Sequence, residues 1–167
     1  ERVRYEVPDH DDTKYAVVAD PEITRSAVTV LSKRDRVEGT THGDYRDKLL
    51  EQLAFGMVNE RLGELARAPD APFLGAGAGV QQLTPEEGAF ALSAGTKEDG
   101  TLVAYEALLV EVRRVREHGF GTAELERARA RVLKSYESLL LEQDKLDSTN
   151  EANEIVRAFT NGEGMPG

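Results

Sequence analysis

Residues 26–33 read SAVTVLSK, and residues 41–68 read THGDYRDKLLEQLAFGMVNERLGELARA. The first stretch is rich in β-branched residues and alternates, which is typical of a half-buried strand. The second repeats apolar residues at helical spacing and is closed by Pro69, so it predicts one long helix over Thr41–Ala68. Thr41 and Asp44 have the spacing of a capping box, with Asp in place of the usual Glu.

Further strands are predicted on both sides of this helix. Arg2–Val7 alternates charged with apolar residues, which indicates a strand. After the helix, Phe73–Val80 and Phe90–Gly95 are short apolar segments joined by a turn at Leu83–Glu87, so they predict a strand pair.

The second half of the chain is predicted to be helical. Thr101–His118 is followed by Gly119, the residue type that commonly ends a helix, and Thr122 is predicted to cap the next helix. Ser148 and Glu151 form a capping box that predicts a last helix. The predicted apolar face of the first of these helices consists of Leu102, Tyr105, Leu108, Leu109, Val112 and Val115. This order predicts an α+β fold, a two-layer sandwich with helices packed on one face of a mainly antiparallel sheet.

The composition excludes several classes of function. The chain has 167 residues with 21 Lys and Arg against 31 Asp and Glu, so its formal net charge is 21 − 31 = −10. This surplus of acid argues against nucleic acid and anionic membranes as partners. Cysteine is absent, which removes disulfides, thiol nucleophiles and cysteine-ligated metals. The apolar runs are too short to span a bilayer.

The residues alone predict no catalytic group and no metal ligand. His10, His42 and His118 belong to none of the spaced motifs that place two imidazoles on one helix face for zinc. Gly75–Gly79 lacks the ending of a phosphate-binding loop, so its small residues indicate close approach by another backbone. Glu111 is interpreted as half of a solvated pair with Arg114.

A series of short motifs gives the chain a family resemblance. They run in order from Asp20–Thr24 through Tyr45-Arg46, residues 57–62, Ala71–Phe73, Glu111 and Arg114, Gly119–Thr122 and the Ser148 box to Gly162-Glu163. With these motifs the chain resembles the insulinase (pitrilysin) family of zinc metallopeptidases over roughly residues 17–164. The resemblance implies an α+β domain of the kind that those proteins repeat.

The resemblance also implies a role. The family's first domain carries the zinc motif His-x-x-Glu-His, which this chain lacks, so residues 1–167 resemble the non-catalytic second type of domain, excised from a longer protein. Zinc would belong to the parent protein, and the partners would be sibling domains and an unfolded peptide held in a closed chamber. The Asp20-Pro21-Glu22 segment looks most like large bacterial zinc proteases, which implies the cell envelope or periplasm. The alternative is an assembly subunit of the same fold without peptidase activity.

Five residues are candidates for contact with substrate: Arg61, Phe73, Gly75, Gly77 and Gly79. In some relatives an arginine near the end of the long helix, and a tyrosine after it, touch substrate beside the zinc. Arg61 matches that arginine, but residues 67–73 contain no tyrosine. A structural role for Arg61 at the helix end is therefore the favoured interpretation. The small Gly75, Gly77 and Gly79 would leave room for a peptide or a neighbouring domain.

Overall fold

The structure is a computed structural model that describes residues 7–37, 41–84, 86–142 and 148–161. Its elements are β1 Ser26–Asp35, α1 His42–Ala66, β2 Gly75–Gln82, β3 Glu87–Thr96, α2 Thr101–His118, α3 Thr122–Leu141 and α4 Ser148–Asn161. All but the last residue of the predicted strand Arg2–Val7 lies outside the described residues. None of the described helices is both long enough and apolar enough to cross a membrane.

The three described strands form one antiparallel sheet in the order β1-β3-β2. Val30 of β1 pairs with Leu92 of β3, and Leu92 pairs on its other side with Ala78 of β2. These residues therefore share one face of the sheet, because facing residues of paired strands point the same way. The sheet and the helices confirm the predicted α+β class.

The capping box predicted at the start of the long helix is present. The Thr41 hydroxyl accepts a hydrogen bond from the Asp44 N–H at 3.1 Å, and the Asp44 carboxylate accepts one from the Thr41 N–H at 2.9 Å. Two N–H groups that the helix cannot satisfy internally are thus paired. This local chemistry explains why α1 begins at His42.

The described residues divide into two compact units. Unit 1 comprises Glu1–Arg36 and Arg61–Arg113, and unit 2 comprises Val37–Glu60 and Arg114–Gly167. The core of unit 1 draws on both helices and strands, with buried Leu62, Phe73, Ala89, Leu92, Ala94, Ala104 and Leu108. In unit 2 the buried apolar residues among those described are Met57 and Ala128.

The apolar face predicted for α2 is correct only in part, since Leu108 is buried and Tyr105 and Val115 are half-buried. The structure buries Ala104, Leu108 and Glu111, whereas the predicted Leu102 and Val112 are exposed. The helix carries large apolar residues around most of its circumference, so hydrophobic periodicity could not select the face that packs. The covered side carries a small alanine, a leucine and a carboxylate that is paired with Arg61.

The turn between α2 and α3 agrees with one prediction and corrects another. Gly119 has φ +63° and its N–H donates to the Val115 carbonyl at 2.8 Å, as expected for a glycine that ends a helix. The N-cap of α3 is Gly121 and not the predicted Thr122. The Gly121 N–H donates to the Glu124 carboxylate at 2.7 Å, so the acid three residues on closes the turn.

Thr96 carries a buried hydroxyl in unit 1. It is 2% exposed, and its Oγ1 has no hydrogen-bond partner among the residues that the structure describes. A buried polar atom without a partner costs about 1–3 kcal/mol.

We therefore expect Thr96→Val to raise the free energy of unfolding by about 1 kcal/mol, measured by urea denaturation. Thr29→Val is the control, because the Thr29 hydroxyl bonds Ser93 at 3.0 Å and its loss should bring no gain. An unchanged or lower stability of Thr96→Val would contradict this reading.

Candidate functional site

The glycines of β2 lie on one face of the sheet. Gly75 faces Gly95 of β3, Gly77 faces Ser93 and Gly79 faces Ala91. We call these six residues the glycine face. The opposite side of the same strands carries the buried Leu92 and Ala94, so the glycine face is the side of the sheet away from those core residues.

The glycine face is open at three of its glycines, as far as the described residues show. A Cβ atom added at Gly75, Gly79 or Gly95 would meet no described heavy atom within 4 Å. Glycine inside a strand costs conformational entropy and gives no packing in return. The described contacts of unit 1 therefore do not explain why β2 has glycine at Gly75 and Gly79.

The other groups near this face offer little acid–base chemistry. Thr29 and Ser93 share a hydroxyl hydrogen bond of 3.0 Å. Lys33 lies on the same side of β1, but its ammonium is taken up by Asp9 at 3.1 Å and by the carbonyls of Val7 and Pro8 at 3.3 and 2.9 Å.

Arg61 and Glu111 form a buried ion pair in unit 1. Arg61 Nη1 donates to Glu111 Oε1 at 3.0 Å, and the two side chains are 11% and 5% exposed. The prediction that Glu111 is solvated is therefore wrong, because its side chain is largely buried and accepts a hydrogen bond from an arginine 50 residues earlier in the chain. The geometry favours the structural role for Arg61, while a contact with substrate stays a prediction.

Phe73 lies in the core of unit 1 with 1% of its surface exposed. Burying a phenylalanine ring contributes a large share of the hydrophobic stabilisation of a small unit. As the structure places it, the ring has no surface to offer a peptide. Among the five predicted contacts, Gly75, Gly77 and Gly79 lie together on the glycine face, and Arg61 and Phe73 do not join them.

Glu60 in unit 2 accepts hydrogen bonds from two arginines. Arg131 Nη2 donates to Oε2 at 2.6 Å and Arg127 Nε donates to Oε1 at 2.8 Å. These bonds, with Arg131 the larger contributor, hold the pKa of the Glu60 carboxyl below its ordinary value of 4.5. Unit 2 also contains a groove beside Arg131, lined by Gln52, Gly56, Ala128, Arg131, Val132 and Ser135.

The lowered pKa of Glu60 predicts a pH-dependent contribution to stability. A carboxylate with a lower pKa in the folded state stabilises the protein above its unfolded pKa, and that contribution disappears as the pH falls through the folded value. We expect Glu60→Gln to lose about 1 kcal/mol or less at pH 7 and nothing at a pH well below 4.5. Urea unfolding at the two pH values measures this. Arg131→Ala should remove most of the same pH dependence, and a loss that is equal at both pH values would contradict the assignment.

Tyr45 and Tyr136 join their hydroxyls in unit 2. The two oxygens are 3.1 Å apart, and the hydrogen bond with Tyr45, followed by partial burial, raises the pKa of Tyr136 above its ordinary value of 10.0. Tyr136 is therefore neutral at physiological pH. The pair ties α1 to α3 within unit 2 and supplies no proton acceptor.

The histidines do not assemble a metal centre in the described part of the chain. His10 Nδ1 lies 2.8 Å from the Asp12 carbonyl, His42 is the exposed first residue of α1, and His118 Nε2 lies 4.0 Å from a Glu117 oxygen. No group of three or more His, Cys, Asp or Glu side chains that could hold an ion occurs among the described residues. These residues do not fit a zinc site, which needs three or four such ligands around the metal.

Solved structures show which fold this is. The crystal structure of the periplasmic protease PqqL from Escherichia coli matches 87% of the chain with a TM-score of 0.78 and 16% sequence identity. The match covers 16% of PqqL, and 31% of a separate structure of its first half, again with a TM-score of 0.78. The fold is thus one that occurs as part of a protease several times longer.

Sequence comparison then gives a relative. A protein from Arabidopsis thaliana described as "Zinc protease PQQL-like" is 31% identical over 163 residues. The chain is thus similar, over nearly its whole length, to part of a zinc protease, in line with the resemblance that its motifs indicated. The match covers 98% of the chain but only 14% of the Arabidopsis protein. A scan against protein-family models gives no match.

Proposed function

We propose that the chain is a non-catalytic segment of a zinc metalloendopeptidase that helps to enclose an unfolded peptide while a different domain cleaves it. The likeness to the Arabidopsis zinc protease supports a place in such an enzyme. Zinc would be held elsewhere in the parent protein, since the described residues do not fit a zinc site. Peptide hydrolysis by a zinc-activated water would take place in the zinc-binding domain. The residues of this chain would bind the peptide and exclude bulk water.

The glycine face carries this proposal. It consists of backbone and small side chains, and at Gly75, Gly79 and Gly95 no described atom lies where a peptide or a neighbouring domain would approach. The acidic character of the chain, with a net charge of −10, adds a preference for peptides rich in Lys and Arg. The periplasm or cell envelope is the proposed location, in line with the periplasmic PqqL. A bacterial origin is part of the same proposal.

Filling the glycine face tests the role. In the longer protease that contains this chain, we expect Gly79→Val to lower kcat/KM for an unstructured Lys-rich fluorogenic peptide by at least about tenfold. Gly77→Val should act in the same direction. The melting temperature should stay the same or rise after Gly79→Val, because nothing lies within 4 Å of the added Cβ and valine favours strands. The zinc content should not change.

The matched control is Gln82→Val, which puts the same side chain on an exposed position of the same strand but on its other face. It should leave kcat/KM within about twofold of the parent value. Equal turnover in the Gly79→Val and control variants would show that the glycine face does not border the substrate. A longer protein without any zinc-dependent peptidase activity would instead favour the assembly-subunit alternative.

A further inference from the structure

Helix α2 has apolar residues on two opposite sides. One side is covered within unit 1, where Ala104 and Leu108 are fully buried. The other carries Leu102, Val103, Leu109 and Val110, which are 79%, 57%, 40% and 59% exposed. Residues seven positions apart return to the same side after two turns, so these four form one patch around Glu106. We call the four apolar residues the outer stripe of α2.

An amphipathic surface helix normally presents polar residues to solvent. A helix that is apolar on both sides is typical of a position between two layers of protein. Soluble proteins rarely leave a contiguous apolar patch uncovered unless it contacts a partner. The described residues do not cover the outer stripe, so any covering layer comes from elsewhere.

We propose that the outer stripe of α2 is an interdomain surface, covered by an apolar face of another segment of the same longer polypeptide. The chain spans 14% of the length of its Arabidopsis relative, so about six times as much protein is available there to cover it. This inference rests on the proposed membership of a longer protease, but not on the chamber role of the glycine face.

Charge favours a neighbouring domain over two other possible occupants of the outer stripe, a second copy of the chain and a lipid surface. A second copy of the chain would bring another net charge of −10 against the first, which opposes self-association. Glu106 stands in the middle of the stripe and is exposed, and a carboxylate there is unfavourable for insertion into a lipid surface. A neighbouring protein domain can supply a hydrogen-bond donor or a cation that satisfies such a carboxylate within an otherwise apolar contact.

The absence of cysteine from the chain makes a labelling experiment direct. Thiols introduced by Leu102→Cys and Val110→Cys in the longer protease would be reacted with iodoacetamide and followed by peptide mass spectrometry. The rate of iodoacetamide labelling at each thiol is divided by the rate of the same variant in denaturant. We expect both to react at least about tenfold more slowly than the thiol of Glu98→Cys, an exposed loop position just before α2.

Each other outcome overturns the proposal. Equal rates at the three positions would show that the stripe is uncovered, and equal protection of Glu98→Cys would show a cover that is not specific to the stripe. Protection that disappears on dilution of the protease would identify a second copy as the occupant. Labelling does not require peptidase activity, so a protected stripe in a protease that is insensitive to Gly79→Val would uphold this inference and reject the chamber role.

Discussion

Replacing Arg61 with alanine is expected to lower the free energy of unfolding by about 3–5 kcal/mol. The Arg61 guanidinium lies 3.0 Å from the Glu111 carboxylate, and both side chains are largely buried. The substitution removes the charge and the hydrogen bond that Arg61 gives to a largely buried carboxylate, in a place where water cannot easily replace them. Urea denaturation of the 167-residue chain measures the loss, with the same dependence of unfolding free energy on urea concentration (the m-value) used for both proteins.

Two variants test the physical cause. Arg127→Ala removes an arginine from an exposed pair with Glu60, where the side chains are 52% and 19% exposed, and should cost about 1 kcal/mol or less. The double variant Arg61→Met/Glu111→Leu removes both buried charges and should recover most of the stability lost in Arg61→Ala. A cost of Arg61→Ala no larger than that of Arg127→Ala would show that the buried pair is not a structural element.

Kinetics of the longer protease separate the two roles considered for Arg61. If Arg61 touches substrate, its replacement would lower kcat/KM while the melting temperature of the chain stayed the same. If Arg61 only stabilises the fold, its replacement lowers the melting temperature, and kcat/KM measured well below that temperature falls little. We expect the second result. Unchanged melting with a large loss of turnover would establish Arg61 as a substrate contact.

The second large effect is expected at Phe73. Phe73→Ala should destabilise the chain by about 3–5 kcal/mol, because it removes a ring that is 1% exposed and leaves a cavity in the core of unit 1. Phe159→Ala makes the same change at a ring that is 90% exposed, and it should cost less than about 0.5 kcal/mol. Urea denaturation compares the two. Equal small costs would mean that Phe73 is not a core residue and would restore it as a candidate for binding substrate.

Local sequence patterns were sufficient where the physics is local. The capping box at Thr41 and Asp44, the positive φ of Gly119 and the strand at Ser26–Asp35 depend on residues within a few positions of one another. The sequence predicted each of these, because a side chain that satisfies a nearby N–H, or a missing Cβ, acts whatever the rest of the fold does. The α+β class follows from the order of such elements.

Patterns failed where several local solutions were equally good. At the start of α3 the sequence predicted Thr122 as the N-cap, whereas the structure has Gly121 there, with its N–H bonded to the Glu124 carboxylate. On α2 two apolar faces competed, and the choice belonged to the rest of unit 1. Periodicity reports which residues can be buried together, but not which side finds a partner.

The sequence by itself determined the helices, the strands, the antiparallel class of fold and, through its motifs, the likeness to part of a zinc protease. Only the tertiary structure decided that Arg61 pairs with Glu111, that Phe73 is enclosed and that three β2 glycines share a face with Gly95 of β3. The reason is distance along the chain. Pairing Arg61 with Glu111 depends on how elements 50 residues apart are packed, and no local propensity carries that information.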